Sequence, residues 1–584
     1  MPSSADATLF AHVDRLLADA FAACGFDTEG VRAVPAQRPE LGDLQCNAIM
    51  ALAGRLKRPP RELASAVAER LGTLDDFAEV GIAGPGFINL RLSDGLLSHF
   101  AAAQAAAPRG GILPQSPETI VIDFGGPNVA KPLHVGHLRS LVLGESLRRI
   151  LAAQGHRVIG DVHLGDWGLQ MGMLISEALV RWPELAEDGP WRDDPPFDMQ
   201  TLQELYPRVA AACKADPERM AIARAATAEL QSGSERHMRI WEAVRRVSLD
   251  AQARDFTTLD AHFDELLGES HVQPLIPGMI ADLVARGVAV RSDGALVIEV
   301  ARDDDESPMP PLLLEKSDGA ALYATTDLAT IVDRKARHRP ARIVYVVDQR
   351  QSLHFAQVFR AAQVAGFAEG TTLVHVGFGT VNGADGKPYK TRDGGVAQLR
   401  DLLADALDKA RARQSTDASP SDADEASELA AAIGIAAVKF ADLSTYRTSG
   451  YVFDAERMVS FEGRTGPYVQ YACVRISSML EKATREGFAA GSIDVRKPTE
   501  RQLVLLCARF PDVVASAAAR YAPNEIADFA YDLAQAFSRF YAECPVLAAP
   551  SEGERASRLA LAGLTRGVLA EALDLLGIRV PARM

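Results

Sequence analysis

Six residues at 119–124, TIVIDF, form a β-branched apolar run of strand length. Beyond them Leu143, Leu147, Ile150 and Leu151 recur on one helical face, and Gly155 ends that pattern. A second strand-like run, RVIGDV at 157–162, follows. Strand, corner, long helix, glycine and strand make one βαβ unit of a parallel sheet. From about 175 to 265 the pattern is helical and charged, after which GALVIEV (294–300), PLLLEKSDGAALYATTDLAT (311–330) and ARIVYVVD (341–348) return to strands with helices between them. The prediction is an α/β protein with a Rossmann-like parallel-sheet domain over 118–400, interrupted by a helical insertion at about 175–290. Before it, residues 1–108 mix helices with turn signals and end on the strand GIAGPGFINLRL, an α+β domain. After it, 401–460 reads as connecting helices, and RQSTDASPSDADEASE (413–428) has the composition of a solvated loop. Residues 461–584 read almost wholly as amphipathic helix, an all-α bundle with aromatics at 529, 531, 537, 540 and 541.

Composition narrows the class. At 584 residues the chain exceeds one compact domain several-fold, and 48% apolar with 24% charged residues is ordinary for a soluble globular protein. The start lacks a basic region followed by an apolar core and a cleavage site, so a cytoplasmic protein with no membrane association is expected. Six cysteines (24, 46, 213, 473, 507, 544) include no C-x-x-C pair, which argues against a disulfide framework and a cysteine zinc site. A net charge of −15 speaks against nucleic acid as a partner, yet the last 134 residues carry 16 basic and 16 acidic side chains. The acidity therefore lies upstream of the terminal bundle, and charge alone neither demands nor excludes RNA.

The corner itself carries chemistry. GGPNVAKPLHVGHLRS (125–140) puts two histidines three apart at the start of a helix that follows a parallel strand. Such a corner offers unpaired N–H groups and the positive end of a helix dipole, which suit a phosphate. Neutral imidazoles at 134 and 137 can each donate one hydrogen bond to an α-phosphate undergoing displacement, and Gly136 leaves room for a close approach. A chance or packing pair is the plain alternative. A metal pair completed by His163 or Asp166 is another, unsupported by any H-E-x-x-H or cysteine partner.

The wider string resembles the histidine signature of class I aminoacyl-tRNA synthetases, in the form carried by the arginyl-tRNA synthetase family. HLGDWGLQMGML (163–174), YVVDQRQSLHFAQVF (345–359), GKPYKTRDGG (386–395) and GRTGPYVQYACVRISSML (463–480) are similar to that family in its chain order. The resemblance spans the whole chain and implies a fold: a class I catalytic domain, an N-terminal domain binding the tRNA D-loop and a C-terminal anticodon-binding bundle. It implies a reaction, in which L-arginine, ATP with Mg2+ and tRNA(Arg) give arginyl-tRNA through an arginyl-adenylate, with no protein-bound zinc and a monomeric enzyme. For ATP it implies His134, Gly136 and His137. For arginine it implies Asp123, where the family carries a glutamate, with Asn128, Tyr323, Asp327 and Gln351. Asp327 is the expected guanidinium anchor, and Tyr323, four residues earlier, shares its helical face.

The lysine-bearing loop departs from the family pattern. Tyr389, Lys390 and Thr391 stand where the family's loop ends on its second lysine, so Lys387, Lys390 and Lys131 are the candidates for charge on the leaving pyrophosphate. For tRNA the resemblance implies Phe87 and Asn89 against a D-loop base, and Tyr468, Tyr471, Tyr531 and Met584 at the anticodon. A small-molecule nucleotidyltransferase shares an H-x-G-H corner but gives no reason for the helical tail. A catalytically silent tRNA-binding relative is the other alternative.

Overall fold

In the computed structural model, which describes residues 8–186, 194–317, 322–389, 397–413 and 423–584, the chain divides into a unit of residues 116–459 and a second of 1–115 with 460–584. The first is organised on five parallel strands: β1 (Thr119–Phe124), β2 (Arg157–Leu164), β3 (Glu265–Gly268), β4 (Arg342–Val346) and β5 (Thr372–His375). Their order is β5-β4-β1-β2-β3. The winding reverses between β1 and β4, and a doubly wound sheet binds ligands outside the carboxyl ends of its strands at that reversal.

Helix α1 (Val135–Ala153) crosses from β1 to β2 and is buried along most of its length. It lies close because Gly144 has no side chain: a Cβ there would stand 2.3 Å from the Phe124 ring. Helix α2 (Tyr323–His338) precedes β4, and α3 (Ser352–Val364) joins β4 to β5. Four helices between Leu169 and Thr258 form the insertion, closing over their own core of Met171, Leu174, Ile175, Leu202, Leu205 and Ile240. The parallel sheet then resumes at β3, inside the span predicted as insertion. A three-stranded antiparallel sheet (Ala289–Ser292, Ala295–Ile298, Leu312–Glu315) separates β3 from α2. The stretch predicted as a loop at 413–428 is helical from Ala423, with Asp424 and Glu425 in the first turn, where acids favour a helix start, and 414–422 lie outside the described residues.

Helix and sheet are locked by one buried guanidinium. Asp161, Asp123 and Tyr345 stand side by side on β2, β1 and β4, so their side chains share one face. Arg334 of α2, fully buried, reaches Asp123 at 2.6 Å and Asp161 at 2.7 Å and stacks over the Tyr345 ring. Burial alone would lower the Arg334 pKa, but the charges of Asp161 and Asp123 outweigh it and keep the cation.

In the second unit, a four-stranded antiparallel sheet with flanking helices packs on five helices, Gly466–Arg485, Pro498–Ala508, Phe510–Arg520, Asn524–Glu543 and Glu552–Leu575. Among the described residues one helical stretch, 498–520, is long and apolar enough to cross a membrane, and it sends Leu503, Val504, Phe510 and Val514 into this bundle. Arg501 ties the two parts, donating to Asp43 at 2.8 Å and to Asp94 at 2.6 Å.

Candidate active site

The chain leaves β1 through Gly125 at φ 88° and turns at Ala130, whose φ of 58° is a left-handed conformation uncommon for alanine. The turn is held by Ser248, which accepts the Ala130 N–H at 2.8 Å. His134, extended at φ −115°, caps α1: its Nδ1 accepts the Gly136 N–H at 3.0 Å. His137, in the first turn, returns the arrangement by accepting the His134 N–H at Nδ1, also at 3.0 Å. Both Nδ1 atoms are therefore acceptors, so each neutral ring carries its proton on Nε2. Burial and then the neighbouring His134 push His137 down to about 3, and burial with the Lys131 charge lowers His134. The pair stays neutral at pH 7, its rings 3.8 Å apart. Gly136 serves a nearer purpose than expected: a Cβ there would strike the His134 ring at 2.7 Å, so the glycine makes room for the cap itself.

Across the reversal, α2 carries Tyr323 and Asp327 one turn apart, with Arg334 further along reaching the sheet. Tyr323 opens the helix, 75% exposed. Asp327, one turn on, accepts a 2.6 Å hydrogen bond from His354 Nε2 of α3. Glu269, directly after β3, completes an acidic cluster. Burial, followed by the charges of Asp166 and Asp327, raises its carboxyl to about 8. Burial and Glu269 also raise the Tyr323 phenol. Gln351 caps α3, exposed, on the turn after β4.

The remaining expected residues have varied surroundings. Asp123 is buried and accepts from Arg334 at Oδ2. Asn128 is exposed, its amide lying over Gly165, where a Cβ would meet it at 2.0 Å. Lys131 is half-buried, which lowers its pKa. Lys387 is exposed in a turn closed by Asp385, and Lys390 lies outside the described residues. Beyond it the chain rejoins the histidine segment, Val135 N–H donating to Ala397 O and Leu399 N–H to Leu133 O, each at 3.0 Å. Asp166, the possible metal partner, is fully buried and bound by Ser270 and Arg245.

Of the expected RNA-facing residues, Phe87 is half-buried against the Gly84 turn. Asn89 is only 3% exposed between Ile88 and Leu90, so its side chain is withdrawn from any base. Tyr468 packs on Tyr531 with ring centroids 5.5 Å apart, Tyr471 is 44% exposed, and Met584 is half-buried. Sequence reasoning missed Glu269, His354 and Arg334. A strand assigned to ELLG at 265–268 would have placed Glu269 at a sheet end and exposed the first of them.

A doubly wound sheet with a histidine-capped helix at its reversal is a nucleotide-binding arrangement, and the class it belongs to here is that of the class I tRNA synthetases. Residues 105–455 match the family model "tRNA synthetases class I (R), catalytic domain". The flanks match two more, "Arginyl tRNA synthetase N terminal domain" at 11–92 and "DALR anticodon binding domain" at 469–584. Arginine–tRNA ligases of Maricaulis maris and Hyphomonas neptunium are 48% and 45% identical to the chain. The first comparison covers 100% of both chains, the second 97% of this one and 98% of the relative. The solved arginyl-tRNA synthetase of Thermus thermophilus superposes with a TM-score of 0.80 at 27% identity, over 99% of this chain and 100% of that one. The chain belongs to the arginyl-tRNA synthetase family.

Proposed function

We propose that the protein joins L-arginine to tRNA(Arg) in two steps. A carboxylate oxygen of arginine attacks the α-phosphorus of ATP, which enters with Mg2+; the bond to the β-phosphate oxygen breaks and pyrophosphate leaves with the electron pair. The 2'-hydroxyl of the terminal adenosine then attacks the adenylate carbonyl, expelling AMP, while the hydroxyl proton passes to the departing phosphate or to water. No covalent enzyme intermediate is involved. The observation that carries this reading is the histidine cap: two imidazoles with Nδ1 tied to backbone N–H groups and Nε2–H left to donate. Donors fixed in advance act where charge builds on the pentacovalent phosphorus and need no rearrangement during reaction.

Arginine lies with its guanidinium at Asp327 and Glu269, against Tyr323, with Asn128 and Gln351 supplying neutral contacts. A planar fork of N–H donors suits this pair of carboxylates, and lysine would leave polar atoms unmatched. Lys131, Lys387 and Lys390 serve the triphosphate. Phe87, Tyr468, Tyr471, Tyr531 and Met584 face the tRNA, and the enzyme works as a cytoplasmic monomer. The test is ATP-dependent attachment of each of the twenty amino acids to total tRNA. Arginine alone should be charged, and His137→Ala should lose at least about 100-fold, the loss expected for one transition-state donor. Charging of another amino acid would overturn the pocket assignment, and a fully active His137→Ala the corner.

A further inference from the structure

The insertion contributes a side chain to the histidine corner. Tyr206, on the insertion helix Met199–Ala215, packs against the insertion core and presents its ring face to Lys131, whose Nζ lies 4.6 Å from the ring centroid. The backbone of Lys131 is fixed independently: Gln252 donates its amide to the Lys131 carbonyl at 3.3 Å and to that of Asn128 at 3.1 Å. Only the side chain is left to be positioned. Among the described residues, no carboxylate forms an ion pair with this ammonium, although salt bridges are frequent elsewhere in the same unit.

That choice of partner has a chemical consequence. A carboxylate would hold the lysine more tightly but would cancel the charge that a triphosphate must attract. A ring face holds an ammonium through its quadrupole, leaves the unit charge intact, and is weak enough to release it. We propose that Tyr206 is a positioning residue for Lys131: its ring keeps the ammonium beside the histidine corner, un-neutralised, so that its full charge meets the phosphates of ATP. The proposal rests on the reading that Lys131 serves the triphosphate. It assigns the helical insertion a part in adenylate formation, in a chain whose loop lacks the family's second lysine.

The test is arginine-dependent exchange of pyrophosphate into ATP, run with tRNA present on the full-length enzyme. Tyr206→Leu should lower kcat/KM for ATP by about 2- to 30-fold, the range a cation–π contact spans. Tyr206→Phe, which keeps the ring, should recover most of the loss. In a Lys131→Met background, Tyr206→Leu should add less than a further about 2-fold, because its partner is already gone. Tyr206→Met serves as the second truncation should the leucine variant fold poorly. Full additivity of the two changes, or wild-type exchange by both truncations, would overturn the role of Tyr206 alone. Wild-type exchange by Lys131→Met would instead overturn the reading of Lys131 on which it rests.

Discussion

Arginine and a proton compete for Glu269. With its carboxyl raised to about 8, this residue is about nine-tenths protonated at pH 7 in the ligand-free enzyme. A guanidinium placed between Glu269 and Asp327 favours the ionised form, so binding expels the proton. For a group titrating near 8, the apparent arginine affinity should rise about 25-fold between pH 6.5 and 8.5 if binding requires the carboxylate. Stability has the opposite sign. The fold holds a proton that the unfolded chain releases near its ordinary value of 4.5, so the free enzyme loses stability as pH rises from about 4.5 to 8, and arginine offsets the loss. Calorimetry at pH 7 in buffers of different ionisation enthalpy counts the protons. About 0.9 should be released per arginine bound. Glu269→Gln should release almost none, bind more weakly at pH 8.5 and show a flat profile. A wild-type profile that is flat, or one that persists unchanged in Glu269→Gln, would refute the assignment of Glu269 to the guanidinium.

Two further outcomes follow from the buried and half-buried ion pairs. Arg334→Met leaves Asp123 and Asp161 facing each other without their cation; the catalytic unit should be destabilised by about 3 to 5 kcal/mol, read as a lowered unfolding temperature, and an unchanged one would contradict the triad. His354→Ala removes the donor that orients the Asp327 carboxylate. The arginine KM should rise about 10-fold or more while the ATP KM stays put, with partial recovery in His354→Gln; equal movement of both constants would reduce His354 to a packing residue.

The parts of the fold legible in the sequence are those whose signal is local. TIVIDF and the helical spacing of Leu143, Leu147 and Ile150 sit within 33 residues of one another, and they define β1, α1 and the histidine corner. The four-residue strand ELLG carries no alternation and lies next to a long charged helix, so the insertion was drawn through it and Glu269 went unseen. The ion pair of Asp123 is illegible for another reason. Its partner Arg334 is 211 positions away on α2, and only the packing of that helix on the sheet brings the two together. Asn89 is a tRNA contact only by resemblance, and no alternation of polar and apolar positions announces that its strand buries Ile88, Asn89 and Leu90 in succession. The tautomers of His134 and His137 depend on hydrogen bonds from the backbone N–H groups of Gly136 and His134. The motif marks the corner but cannot assign its protons.

The distribution of charge about the reversal has a kinetic logic. The two substrates carry opposite charges and must meet at one sheet edge, so a cationic corner would hold ATP tightly in the ground state and repel arginine's own cations. Binding of that kind lowers KM without raising kcat. Neutral imidazoles add to neither effect beyond what Lys131 already brings, and a hydrogen-bond donor gains most when negative charge grows on the atom it touches, as it does when the α-phosphorus becomes pentacovalent. In the proposed mechanism the burial that pushes His137 down to about 3 therefore has a part. The charge that the phosphates need would come separately, from a lysine resting on a tyrosine ring, and the acids proposed to receive the guanidinium stand across the reversal on α2 and after β3.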